Sequence, residues 1–530
     1  MRSKNETLVM PLLWLLFVIP LCGCTLSPKK TFTSQAVVVT LDATPPAKTP
    51  LPSTGITLEN GYKDQFSAVL PAAQADLALL PDLTRYDIDV VIDPAAHRFD
   101  GQARVEVTNT EDQPLESLFF RLLPNGGQAY GNGSLTVSQT RVDGDVARTI
   151  LSLDDTALEV QLPELIQPGE RILVEFDFQG SIPVDFGGDA SPYAYGIYNL
   201  TEGVLALSGW YPILAVYDDY AWRLDPISPI GDSVYSETAL YKVQITLPDD
   251  VVLMATGVEI SRENLGDSIR YQLVSGPVRD FFLVASPDFQ VKTETVDGTR
   301  VNSYYFLEDE YAGEIGLSAA AESLRVFNQR FGEYPYPEMD MVQAPMRNAL
   351  GVEYPGIFLI GASLYDDPGQ PDLAITVAHE VAHQWWYGVV GNDVFAEPWL
   401  DEALATYSSG IYFQEAEGDV PYTGLVSYWQ ARYDKLIQDG EDDLITGDLK
   451  HFESLRDPRI YSGVVYRKGA LFFAALREEI GDAAFFDALR DYYTENKYQV
   501  ANRSALLAAF ERASGRELDY LYDEWLFTSQ

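Results

Sequence analysis

Residues 378–386 read Ala378-His379-Glu380-Val381-Ala382-His383-Gln384-Trp385-Trp386, and further along the chain stands Trp399-Leu400-Asp401-Glu402. Four histidines occur in all 530 residues (His97, His379, His383 and His451), and two of them fall in the pentapeptide 379–383. The run 375–386 has apolar residues at helical spacing and neither proline nor glycine, which predicts a helix. Four positions apart on a helix, His379 and His383 share one face and can aim ring nitrogens at a single ion. Glu380 lies about 100° further round, beside such an ion rather than on it. Two imidazoles rarely hold a catalytic metal alone, and three protein ligands with one open position are the usual set. Glu402 follows His383 after eighteen residues, in a second helix candidate with Pro398 near its first turn. By itself Glu402 would read as a solvated helical glutamate. Beside the two histidines it completes a donor set suited to one Zn2+ per chain.

Outward from this motif the chain divides into two compositional halves. Residues 61–307 alternate polar and apolar side chains in short runs, for example 86–93, 101–108, 157–162, 171–178, 241–247, 269–274 and 289–294. Turn pairs such as Asp143-Gly144, Pro168-Gly169 and Asp297-Gly298 separate them, so an antiparallel β-domain is expected. Residues 308–530 carry helical periodicity at 319–331 and 373–386, and again at 468–479, 483–495 and 503–513, with two short strands at 339–344 and 356–360. The fold class is therefore multidomain, β followed by α/β.

The N-terminus reads as a targeting segment. Arg2 and Lys4 precede an apolar run at 12–19 that is too short to span a bilayer comfortably. Leu21-Cys22-Gly23-Cys24 resembles a bacterial lipoprotein signal, with Cys24 as the lipidated residue; Cys22 does not fit because Leu21 precedes it. Residues 1–23 are read as the signal peptide and 24–60, rich in Thr, Ser and Pro, as a flexible tether. The body is then expected outside the cytoplasm, lipid-anchored to a bacterial membrane. Both cysteines lie before residue 25, so the remainder contains no disulfide. With 79 acidic against 36 basic residues the formal charge is −43. Such a surface repels phosphates, which argues against nucleic acid as a partner.

The two zinc segments, with their flanking Gln384-Trp385-Trp386 and Trp399-Leu400, resemble the gluzincin metallopeptidases, in particular the aminopeptidase N family. Asp401 stands where that family usually has Asn. The resemblance covers roughly residues 80–530. It implies a saddle-like antiparallel β-domain followed by a thermolysin-like zinc peptidase domain. The chain ends at Gln530 without the large helical C-terminal domain most members carry, and so resembles the shorter bacterial lipoprotein members. Gly351-Val352-Glu353-Tyr354-Pro355 corresponds to the family's Gly-x-Met-Glu-Asn edge strand. By that resemblance Glu353 binds the substrate's free α-amine and Gly351 belongs to the peptide-binding strand. Val352 and Tyr354 replace Met and Asn, and a plain turn glutamate before Pro355 is the other reading. Tyr466, in Tyr466-Arg467-Lys468-Gly469-Ala470, resembles the family's oxyanion-stabilising tyrosine, with Tyr461 as the fallback.

The function this implies is a zinc-dependent aminopeptidase acting on peptides, with Glu380 as the proton shuttle. A zinc endopeptidase without strict free-amine specificity, or a non-catalytic surface lipoprotein that binds peptides, are the alternatives. Trp210-Tyr211 and Asp218-Asp219 are cleft candidates, although aromatic clusters more often form core. His97 reads as a surface residue, His451 as lying in a loop over 442–457, and Asp393 or Glu397 as partners for a ligand histidine.

Overall fold

The computed structural model describes residues 63–191, 193–232 and 234–529. The expected signal peptide, Cys24 and the tether 24–60 lie outside the described residues. The described residues form one compact unit.

An eight-stranded sheet dominates the first half. Its centre is β1 (Thr84–Asp93), β2 (Arg98–Thr108), β3 (Arg171–Ser181) and β4 (Ala239–Pro248). In β1, Tyr86, Ile88, Val90 and Ile92 are buried while Val91 between them is exposed, the period-two pattern of a strand with one covered face. Adjacent strands pair antiparallel, with one departure from expectation: β1 runs parallel to β4, with Thr84 opposite Ala239. The chain between them crosses to two further four-stranded sheets before returning, and such a long crossover permits parallel pairing. Trp210 and Tyr211 are fully buried and pack on Phe99, Phe281 and Tyr241. They are core rather than cleft. Asp218 and Asp219 pair with Arg223.

A five-stranded sheet follows, in the order β5 (Phe289–Val296), β6 (Thr299–Phe306), β7 (Glu338–Ala344), β9 (Ile357–Gly361) and, at the edge, β8 (Gly351–Tyr354). The β5–β6 hairpin joins it through parallel pairing of β6 with β7. The expected boundary at residue 307 therefore passes through one hydrogen-bonded sheet.

Helices pack on this sheet. The main ones are α1 (Glu310–Arg330), α2 (Pro371–Ala382), α3 (Trp399–Glu417), α4 (Asp419–Asp439), α5 (Gly469–Ile480), α6 (Asp482–Asn496) and α7 (Arg503–Ser514). α2 stops short of the expected Trp386. Trp385 and Trp386 turn inward instead, donating to the Gly332 carbonyl at 2.9 Å and to Ser408 Oγ at 3.2 Å, and the Gly388 amide closes on the His383 carbonyl at 2.8 Å. α4 was not expected, although Leu425, Trp429, Tyr433 and Leu436 are buried at helical spacing along it. His451 sits in a short helix, Leu449–Leu455, rather than a loop. Asp448 caps that helix by accepting from the His451 amide at 2.6 Å, and Asp443 holds the His451 ring at 2.7 Å. His97 is exposed in a turn.

The strand-rich and helical halves are tied by Arg279. Its buried guanidinium donates to the carbonyls of Tyr387 (2.8 Å), Ser236 (3.2 Å), Val389 (3.4 Å) and Gln499. Next to it, Asp280 accepts from the Tyr387 hydroxyl.

Candidate active site

α2, α3 and β8 meet at the floor of a cleft of about 1150 Å³ lined by residues of both halves. On α2, His379 and His383 face the same way, with their Nε2 atoms 3.1 Å apart. Glu402, in the first turn of the buried helix α3, brings Oε2 within 3.2 Å of His379 and 3.4 Å of His383. His383 Nδ1 lies 3.0 Å from the Trp386 carbonyl. Donation of Nδ1–H to that carbonyl leaves the lone pair on Nε2. Two imidazole nitrogens and a carboxylate oxygen thus converge on one point, an arrangement that a shared proton or a metal ion between them stabilises. This donor set fits zinc. The electrostatics agree. Burial works against charge on both histidines and holds His379 below its usual range, but the carboxylates around His383, Glu402 foremost, push it up to about 10. Burial would raise Glu402 as well, yet its contacts with the two histidines pull it down to about 2. The proton that His383 retains sits where a divalent ion would replace it.

Glu380 is buried, and its Oε2 makes no hydrogen bond among the described residues. Burial, reinforced by Glu402 and Asp232, pushes its carboxyl up to about 8 against the opposing pull of His383. Gly351 is needed opposite it: a Cβ there would lie 2.3 Å from Glu380 Oε1. Any side chain would hold the edge strand off this carboxylate, so the glycine lets β8 pass against it.

Glu353, two residues further along β8, is buried, and its Oε1 is without a hydrogen-bond partner among the described residues. It shares a side-chain hydrogen bond with Asp232. Asp232, Glu353 and Asp401 bring carboxylate oxygens within 4.8 Å of one another. Burial raises all three carboxyls well above their usual range. Sequence reasoning missed Asp232. It comes from the segment between two strands of the first half, more than a hundred residues from Glu353, and no local pattern marks it. Asp401, noted only as a departure from Asn, is the third carboxyl of this group.

Tyr466 lies in a π-helical turn, Ser462–Lys468, ahead of α5; such turns gather at functional sites. Its hydroxyl donates to Glu402 Oε1 and its ring stacks on His379 at 5.9 Å. The Lys468-Gly469-Ala470 context has a structural cause. A Cβ at Gly469 would meet the Ala403 Cβ at 2.5 Å, so the glycine lets α5 press against α3 beside Glu402. Lys468 is buried on Asp442 at 3.0 Å. Tyr461 also lines the cleft, edge-on to Tyr466 at 5.7 Å. Neither acid expected behind the histidines is there. Asp393 caps the amides of Phe395 and Ala396, and Glu397 pairs with Arg503. Local backbone donors and a nearby arginine claim them first.

Residues 315–525 match the family description "Peptidase family M1 domain". Among curated relatives, Aminopeptidase M1-A of Oryza sativa subsp. japonica is 25% identical over 464 residues, covering 83% of this chain and 49% of that protein. Aminopeptidase N of Streptomyces lividans is 27% identical over 224 residues, covering 38% of this chain and 24% of that protein. The chain spans about half or less of the length of the curated relatives it matches. Among solved structures, the M1 zinc metallopeptidase from Deinococcus radiodurans aligns with a TM-score of 0.62 at 21% identity, over 84% of this chain and 94% of that one. A mutant of that enzyme bound to a Tyr-Ser-Ala substrate aligns equally well, with a TM-score of 0.62, 21% identity and the same 84% and 94% coverage. The fold is that of a two-domain M1 metallopeptidase, mostly β first and helical second. The chain is thus similar, in its helical half and in its two-domain fold, to aminopeptidase N-like M1 peptidases.

Proposed function

We propose that this chain is a zinc-dependent aminopeptidase that removes N-terminal residues from peptides. The observation that carries the reading is the meeting, in one cleft, of a three-donor cation site with a pair of buried carboxyls that have an unused acceptor. His379, His383 and Glu402 would hold the ion. Bound there, zinc supplies Lewis acidity, polarising a peptide carbonyl and acidifying water. The remaining work falls to the chain's own groups. Glu353 and Asp232 accept the α-ammonium, whose three N–H donors match the unpartnered Glu353 oxygen and its neighbour. β8 aligns the peptide backbone as an added strand, which Gly351 allows to run close to Glu380. Glu380 takes a proton from the attacking water and returns it to the leaving amine. The Tyr466 hydroxyl swings from Glu402 to donate to the oxygen that gains charge.

The test combines metal analysis with hydrolysis of an aminoacyl reporter before and after chelation. One zinc per chain and chelator-sensitive cleavage are expected. Glu353→Ala should depress cleavage of free-amine substrates more than of N-blocked ones. Equal loss on both would favour an endopeptidase, and a metal-free, inactive protein would leave only a binding role.

We further propose that Cys24 carries a lipid that tethers the chain to the outer face of a bacterial membrane. The support is the Leu21-Cys22-Gly23-Cys24 sequence after a short apolar run. Mass spectrometry of the N-terminal peptide checks this: an acylated Cys24 is expected, and an unmodified Met1 would end the idea.

A further inference from the structure

Three arginines line the cleft: Arg347, Arg459 and Arg467. Arg459 is neutralised by Asp457 at 2.6 Å and Glu441 at 3.5 Å. Arg347 lies over the Phe186 ring at 4.1 Å and donates to the Asp185 carbonyl at 3.2 Å. Arg467 is different. It directly follows Tyr466, and no carboxylate pairs with it among the described residues. Its Nη1 donates to Ser462 Oγ at 3.0 Å, and its guanidinium lies 5.9 Å from the Tyr428 ring centroid. One of five donors is thus used, on a side chain held in place and half-buried at the wall of the cleft.

The surroundings make this unusual. Asp232, Glu353, Glu380, Glu402, Asp372 and Glu417 line the same cleft, in a chain with more than twice as many acidic as basic residues. A peptide held by its ammonium at Glu353 must also bring its C-terminal carboxylate into or past this acidic space. For a long peptide that charge ends up far outside. For a short one it stays within, where it is repelled unless a cation receives it. An arginine fork matches a carboxylate in two parallel hydrogen bonds. Each peptide residue spans at most about 3.5 Å, so only a peptide of a few residues keeps both of its ends within a cleft of about 1150 Å³ that Arg467 also lines.

We propose that Arg467 binds the free C-terminal carboxylate of short peptides and makes them the preferred substrates of this cleft. The inference rests on the aminopeptidase reading and adds the other end of the substrate to it.

The experiment compares kcat/KM for Ala-Ala-Ala and its C-terminal amide, and for an alanine-rich decapeptide acid and amide, with an aminoacyl p-nitroanilide as reference. The zinc-loaded wild type should favour the tripeptide acid over its amide by at least about tenfold, the strength of one charge-assisted contact. The decapeptide ratio should stay near one. Arg467→Gln should bring the tripeptide ratio towards one, and Arg467→Lys should keep part of it; Arg347→Gln should leave it as in wild type. A wild-type tripeptide ratio near one, or an undiminished ratio in Arg467→Gln, overturns the carboxylate role while the aminopeptidase reading stands. Loss of the ratio in Arg347→Gln alone moves the role to that residue and overturns it equally. Should Arg467→Gln fail to fold, the wild-type ratio and Arg467→Lys decide. No hydrolysis of any peptide or of the reporter overturns both readings.

Discussion

Two of the places where this molecule buries charge treat it differently. At the joint between the halves, Arg279 spends its donors on four backbone carbonyls, and Asp280 is met by the Tyr387 hydroxyl. In the cleft, Glu353 Oε1 and Glu380 Oε2 have no hydrogen-bond partner among the described residues, and carboxylates stand within 4.8 Å of one another. A buried polar group without a partner costs about 1–3 kcal/mol. At the joint one such atom remains, Asp280 Oδ1, while each Arg279 nitrogen is engaged by a backbone carbonyl, and these contacts hold the structure. The cleft accepts that cost, because unpaired acceptors are what a cation, an ammonium or a proton can occupy.

The comparison can be broken at several points. The largest effect is expected in the cleft. Glu380→Gln should lower kcat by ~10² or more while zinc content and melting temperature hold; near-normal turnover would remove the proton shuttle. At the joint the opposite signature is expected. Arg279→Met leaves four carbonyls without their donor and should cost about 3 kcal/mol of stability in denaturant titration, with kcat of the folded fraction little changed. Tyr466→Phe should reduce kcat by roughly 10² with little change in KM, and an unchanged kcat would move the role to Tyr461.

The smallest effect is a pH slope. Burial pushes Asp280 up to about 7, against the opposing hydrogen bond from Tyr387 and the charge of Arg279. The unfolded chain gives up this proton near pH 4 and the folded chain holds it to about 7. The contribution to stability is therefore fully present below the unfolded value and is lost as pH rises through about 7. Melting curves across pH 5–8 should fall more steeply for wild type than for Asp280→Asn. Parallel curves would mean that the Tyr387 hydroxyl and Arg279 already hold Asp280 ionised.

Much of this was legible beforehand because it was local. β1, β2 and β3 alternate with the strand period, and α2 carries its two histidines one turn apart. What escaped was set by distant partners. The α2 terminus was misjudged because Trp385 and Trp386 fit the helical pattern but find better burial against Gly332 and Ser408. α4 escaped although Leu425, Trp429, Tyr433 and Leu436 have helical spacing, since Pro421 and Gly424 lie in its first turns and suggest a break.

The sequence by itself determined that His379 and His383 share one helix face with Glu380 between them, and the alternation that makes the first half β. These depend on spacings of one helical turn or one strand pleat, which covalent geometry sets. Only the tertiary structure decided that Asp232 meets Glu353, that Gly351 lets β8 graze Glu380, and that Arg467 has no carboxylate partner among the described residues of an acidic cleft. Each of those depends on which segments far apart in the chain pack together, and packing is a property of the whole core rather than of any window of sequence.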